Sequence, residues 1–321
     1  MGKMNKKLGL LAAAAAVSLG LYFAGPRVRI DHQRRELDLP EDLDQYLALS
    51  EARVPGVIPN TEKKITWVHP EKTKTPLALV YLHGFSASRQ ETAPLCEELA
   101  AELGANLFCT RLSGHGLSQH PMAECTVSDW LNDTLEALEI GRRLGERIIV
   151  LGVSTGGTLA TWLAAQPDAA QLLAVILISP NFAPKNPLSE TFTWPWAQQL
   201  LPRLLGTQYG WQPGNPQIAQ YWSHRYPTSA LFQMMALVKH VRNLKLQQVT
   251  KPLLCIYSPF DQVVNANETR RQFARFGSPL KEILRLDQYI NADNHVIAGS
   301  LLAPDNTAPL KTTILEFIRR L

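Results

Sequence analysis

Residues Ile148-Ile149-Val150-Leu151-Gly152-Val153-Ser154-Thr155-Gly156-Gly157 constrain this chain more than any other stretch. An apolar strand runs into Gly-x-Ser-x-Gly, and residues with helical spacing follow at 155–166. A serine on so sharp a strand-to-helix turn must take a strained backbone conformation. Its neighbours two positions away must lack side chains, or the strand and helix collide. Gly152 and Gly156 meet that demand. The helix that follows aims its N-terminus, with its free N–H groups and partial positive charge, at the serine, which suits a developing anion.

Short apolar or alternating runs elsewhere predict strands at 65–69, 77–82, 106–111, 147–152, 173–179, 252–258 and 281–286. Between them, helical periodicity and capping signals predict helices at 89–103, at 128–144 following Thr126, and at 155–166, 267–276 and 307–321. Alternating strands and helices argue for a mostly parallel sheet covered on both faces, an α/β class. Residues 182–249 break the rhythm, with Trp194, Trp196, Trp211, Trp222 and Tyr226 among prolines and helical stretches at 196–205 and 230–246. This reads as a helical cap inserted into a core of 61–181 and 250–321. Residues 26–60 read as a connector with one helix near 42–49. With 45% hydrophobic and 19% charged residues in 321, the chain can bury one large core. A net charge of +4, spread along the chain, gives no nucleic-acid footprint.

Lys3, Lys6 and Lys7 precede a run over 8–24 without a charged residue. Residues 1–25 are therefore expected to be a membrane anchor, with the catalytic domain on the extracytoplasmic side by the positive-inside rule. A cleaved secretory peptide is the alternative, disfavoured because Tyr22 and Phe23 crowd the cleavage site. Cys96, Cys109, Cys125 and Cys255 show no metal-site spacing, so neither metal nor cofactor is indicated. Cys109 and Cys255 lie in strand-like runs and read as buried hydrophobes, while a Cys96 to Cys125 bridge is left open.

A serine hydroxyl needs a base within hydrogen-bonding reach, and that base needs an orienting acid. After Ser154 the histidines are His224, His240 and His295. The first two fall in the excursion 182–249, so His295, which follows the last strand by a short loop, is the expected base. Asp261, after the strand at 252–258, is the expected acid. Asp287 and Asp293 compete for that role. Donors for an oxyanion are expected from the backbone N–H groups of Thr155 and Phe85, the latter in the loop His83-Gly84-Phe85. His83 reads as structural rather than as a second base.

These residues, together with Arg111-Leu112-Ser113-Gly114-His115-Gly116, Asp129-Trp130, Ser258-Pro259-Phe260-Asp261 and Asp293-Asn294-His295, resemble the α/β-hydrolases grouped around monoacylglycerol lipases, bacterial carboxylesterases and serine aminopeptidase-like hydrolases. The resemblance spans about 65–321. It implies the α/β-hydrolase fold, a structural turn at Gly114-His115-Gly116, and the roles just given to Ser154, Asp261, His295, Phe85 and Thr155. It also implies a small-molecule ester or acyl substrate handled through an acyl-enzyme, with a peptidase, amidase or thioesterase as alternatives; a non-catalytic binding protein that keeps the fold is a further alternative, against which the intact set of serine, base and acid argues. Two departures stand out. Thr155 occupies a position where lipase members often carry a bulkier apolar residue, and Leu112-Ser113 stands where relatives frequently place Arg.

Overall fold

The computed structural model describes residues 19–321. Seven strands form the main sheet in the order β1-β3-β2-β4-β5-β8-β9. They are β1 (Lys64–Thr66), β2 (Thr75–Leu82), β3 (Asn106–Cys109), β4 (Gly145–Val153), β5 (Leu172–Ile178), β8 (Leu253–Tyr257) and β9 (Lys281–Arg285). All neighbours pair in parallel except β1, which runs antiparallel to β3. The helices are α1 (Leu43–Ala52), α2 (Leu95–Leu103), α3 (Val127–Leu144), α4 (Thr155–Ala164), α5 (Ala197–Leu205), α6 (Pro216–Tyr221), α7 (Ser229–Arg242), α8 (Ala266–Arg275) and α9 (Pro304–Ile318). This is the α/β-hydrolase fold.

The two-residue period of the central strands explains the layers. Ala78, Val80, Leu82, Ile148 and Val150 face one core with Trp130 and Leu138 of α3, Leu159 and Leu163 of α4, and Leu237 and Val238 of α7. Leu79, Tyr81, Ile149, Leu151 and Val153 face the other, with Leu95 and Leu99 of α2 and Leu310, Ile314 and Phe317 of α9. Strands buried on both faces must be apolar at every position, which is why β4 reads as a continuous hydrophobic run rather than an alternating one. The Thr126 side chain accepts from the Asp129 N–H while Asp129 accepts from the Thr126 N–H, and this reciprocal cap starts α3.

The expected helix at 89–103 divides into a short 3-10 turn (Arg89–Glu91) and α2, with Pro94 immediately before α2. The excursion 182–249 holds α5, α6 and α7, and also a two-stranded antiparallel hairpin of β6 (Gln208–Gly210) and β7 (Arg225–Pro227) that periodicity does not signal. Residues 31–40 lie along α3. There the Arg35 guanidinium meets Asp129, and Arg143 donates to the Leu39 and Pro40 carbonyls, both at 3.2 Å. All four cysteines are free thiols, so the Cys96 to Cys125 bridge does not form.

The expectation of a membrane anchor, and of an extracytoplasmic or secreted catalytic domain, is corrected. Among the described residues no helix is long and apolar enough to cross a membrane. A span needs about 20 apolar helical residues. The described end of the run, 19–23, is a short helical stretch whose Leu21 carbonyl accepts from the Trp196 indole at 2.9 Å. The rest of the run, 8–18, lies outside the described residues.

Candidate active site

Ser154 stands between β4 and α4 with φ 53° and ψ −117°, a conformation that costs an L-residue energy and persists only where its surroundings enforce it. They do so here through the backbone. The Ser154 N–H donates to the Ile178 carbonyl at 3.0 Å, and the Ser154 carbonyl accepts from the Asn181 N–H at 3.0 Å and from the Thr158 N–H at 3.1 Å. A side chain on Gly156 would run into the Leu82 carbonyl, so the helix can approach the sheet this closely only with glycine there. Thr155, the first residue of α4, has no intrahelical acceptor for its N–H.

The loop after β2 lies against the serine. A Cβ on Gly84 would sit 3.2 Å from the Ser154 Cβ and 2.5 Å from Glu91 Oε1. The Gly84 peptide groups are held from both sides. Gly84 N–H donates to Glu91 Oε2 at 2.8 Å, and the Gly84 carbonyl lies 2.9 Å from His83 Nδ1. Because Leu112 N–H donates to His83 Nε2 at 3.0 Å, that nitrogen must be the acceptor, which leaves Nδ1 as the N–H that donates to Gly84. Burial pushes the His83 pKa down to about 4, so the ring keeps this neutral form. A trans peptide points its C=O and N–H in opposite directions, so fixing the Gly84 carbonyl on His83 turns the Phe85 N–H away from that ring. Among the described residues, the Phe85 N–H donates to no acceptor.

Of the three candidate carboxylates, Asp261 is the one beside the histidine. His295 Nδ1 lies 2.8 Å from Asp261 Oδ2, with both side chains buried. The other oxygen, Oδ1, accepts from the Val263 and Val264 N–H groups, each at 2.8 Å, which fixes the carboxylate plane. Gln262 N–H donates to the Asp293 carbonyl at 2.8 Å and ties the two loops together. Asp287 instead accepts from Arg285 Nε at 2.7 Å on the surface. Burial disfavours a charged His295. The charge and hydrogen bond of Asp261 outweigh it, with help from Glu91 and Asp293, and the His295 pKa stands above its ordinary value. His224 packs against Trp211 and His240 lies beside His32, both apart from this cluster.

Residues around this cluster stiffen it. Arg111 forms a two-pronged pair with Glu51 at 2.7 and 3.0 Å and donates to the His115 carbonyl at 3.2 Å, so the Gly114-His115-Gly116 turn has a buried charge contact although Leu112-Ser113 lacks the arginine common in relatives. The excursion 182–249 rests on the loop after β2. Ser223 N–H donates to the Ser86 carbonyl at 2.7 Å, and the Tyr226 and Phe85 rings meet edge to face with centroids 5.3 Å apart. Glu91 escapes sequence reasoning, because at 89–103 it reads as one more acidic residue on a helical face.

A family model described as serine aminopeptidase, S33, matches residues 73–290. The chain belongs to this family. A thermostable monoacylglycerol lipase of Bacillus sp. (strain H-257) is 29% identical over 212 residues, covering 66% of this chain and 81% of that protein. Among solved structures, one reported with the metagenome-derived lipolytic enzymes LipS and LipT matches with a TM-score of 0.68 at 23% identity, covering 83% of this chain and all of its own. The monoacylglycerol lipase of Paleococcus ferrophilus matches with a TM-score of 0.59 at 16% identity, covering 80% of this chain and 97% of its own. The structures establish the fold. Family and relatives together make the chain a lipase- or esterase-like α/β-hydrolase.

Proposed function

We propose that the protein hydrolyses carboxylic esters through an acyl-enzyme, with Ser154 as nucleophile, His295 as general base and acid, and Asp261 orienting the ring. The observation that carries this reading is the 2.8 Å contact between His295 Nδ1 and Asp261 Oδ2, which leaves Nε2 as the free nitrogen of a buried imidazole. The Ser154 hydroxyl attacks the ester carbonyl while its proton passes to His295 Nε2. The carbonyl oxygen, now an anion, is received by the N–H groups of Thr155 and Phe85, donors with no competing partner among the described residues. Collapse of the intermediate breaks the bond to the alcohol, which takes the proton from His295 and leaves Ser154 acylated. A water then gives a proton to His295, attacks the acyl carbonyl and releases the carboxylic acid, returning the proton to Ser154.

The acyl or alcohol portion is assigned to the space beneath the excursion 182–249, which acts as a cap. Its contacts with Phe85 and Ser86 support this placement. An amine-holding subsite, as an aminopeptidase would use, finds little support. Glu190, the one acidic residue of 182–249, is paired with Arg242 at 2.7 Å. The experiment is a panel of p-nitrophenyl esters of increasing chain length, a monoacylglycerol, an acyl thioester and aminoacyl anilides. Turnover of the esters well above the anilides is expected. Efficient anilide cleavage with silent esters would reverse the reading.

A further inference from the structure

Glu91 is a buried carboxyl that the chemistry above does not use. It is 2% exposed, at the end of a 3-10 turn held in place by Arg89, which donates to Glu62 Oε1 at 2.9 Å and to the Glu62 carbonyl at 3.1 Å. Its Oε2 accepts from two groups at once: the Gly84 N–H and the Tyr81 hydroxyl, each at 2.8 Å. A Cβ on Gly299, in the loop after His295, would lie 2.7 Å from the Glu91 carbonyl, and Ser300 N–H donates to the Ala93 carbonyl at 2.8 Å. Glu91 therefore sits where the loop after β2 and the loop carrying His295 meet.

We propose that Glu91 is a positioning residue for the ester hydrolysis assigned above: its carboxylate anchors Gly84 at its N–H while His83 holds the Gly84 carbonyl, so that the two together set the aim of the following Phe85 N–H at the oxyanion, and its charge favours the imidazolium that His295 becomes. This rests on the roles given to Ser154 and His295. Tyr81 and His83 cannot replace it, because Tyr81 only donates to it and His83 holds the opposite end of the same residue. The titratable groups facing the carboxyl are Tyr81 on β2, Cys96 on α2 and His295. Burial raises the phenol and the thiol well above their ordinary values, so both stay neutral across the working range, and His295 is the partner that changes charge with it. Burial pushes Glu91 itself up to about 7, against the opposing pull of the Gly84 and Tyr81 donors and of His295. His295 is likewise raised from its ordinary value, and the charge of each group favours the charged form of the other.

The test is kcat and KM against pH, on a short p-nitrophenyl ester, for the full chain and its Glu91→Gln and Glu91→Ala forms, each normalised to the fraction of Ser154 that a fluorophosphonate labels. Glutamine keeps an acceptor for Gly84 and removes the charge. Its acid limb should move to lower pH by at least about 0.5 unit, because the imidazolium loses an anionic neighbour. Alanine removes both, and its plateau kcat should fall on the order of 10- to 100-fold with KM nearly unchanged, somewhat less than the loss of a whole oxyanion donor. An acid limb in Glu91→Gln that coincides with the wild type would overturn the proposal, and that variant decides alone if the alanine form does not fold. A wild-type protein that ignores the fluorophosphonate would instead overturn the assignment of Ser154, and this inference with it.

Discussion

Replacing Glu91 with glutamine has a consequence for stability that can be worked from the structure and read without substrate. Folding carries the Glu91 carboxyl from an ordinary value of 4.5 to about 7. A raised folded value means that the folded protein holds this proton more tightly than the unfolded chain does. The stability it contributes is complete below pH 4.5 and is lost as the pH climbs through about 7. At about 1.4 kcal/mol per tenfold change in proton affinity, the full loss is about 3 kcal/mol, of which about 2.5 kcal/mol falls between pH 5 and 8. Urea denaturation of the wild type and of Glu91→Gln at those two pH values isolates the effect, because Asp133, buried and pushed up to about 6, contributes alike to both. The wild type should lose about 2–3 kcal/mol more than the variant on going from pH 5 to 8. Equal losses in the two proteins would refute the reasoning, and would mean that the folded Glu91 carboxyl stays ionised throughout that range, as it is in the unfolded chain.

Asp261→Asn should lower kcat by on the order of 10⁴-fold, since the ring loses the partner that fixes its tautomer. In the wild type, kcat/KM should rise through a midpoint above about 6.5, the ordinary imidazole value, because the Asp261 charge overcomes the effect of burial. In the residual activity of the variant that midpoint should move down, and a pH profile of each protein checks both statements. Trp222, 7% exposed, packs with Ala87, Ile218, Leu301 and Leu302, joining the cap to the loops on either side of the site. Trp222→Ala should cost about 3 kcal/mol or more in denaturation and alter the ranking of long against short acyl esters. Trp194, 53% exposed, should tolerate alanine within about 0.5 kcal/mol.

The sheet was legible because its central strands are buried on both faces and must be apolar throughout, and because Gly152 and Gly156 bracket a turn that few other residues permit. Each of the expected strands of the core appears within a few residues of its predicted bounds. The hairpin of β6 and β7 was not legible. Each strand is three residues long, β6 is exposed throughout, and neither buries enough side chains to leave an alternating signature. Glu91 was hidden for a different reason. Its burial comes from the fold of the loop after β2 and the approach of the His295 loop, contacts distant in sequence that no local pattern records. Lack of charge over 8–24 gives the compositional signature of a membrane span, whereas the described end of the run, 19–23, is a short helical stretch engaged by Trp196.

The proposed ester hydrolysis requires Ser154 to be an activated nucleophile, and one measurement addresses it directly: reaction of the full chain and of its Ser154→Ala form with a fluorophosphonate probe, followed by peptide mass spectrometry and an ester assay on the same samples. The wild type should carry one adduct, on the peptide containing Ser154, and lose its esterase activity in step with labelling. The Ser154→Ala protein should take up no label and retain none of the enzyme-borne turnover beyond what the oxyanion donors alone provide, roughly 10³–10⁴ over water. An adduct on another residue, or full ester turnover by Ser154→Ala, would contradict the account.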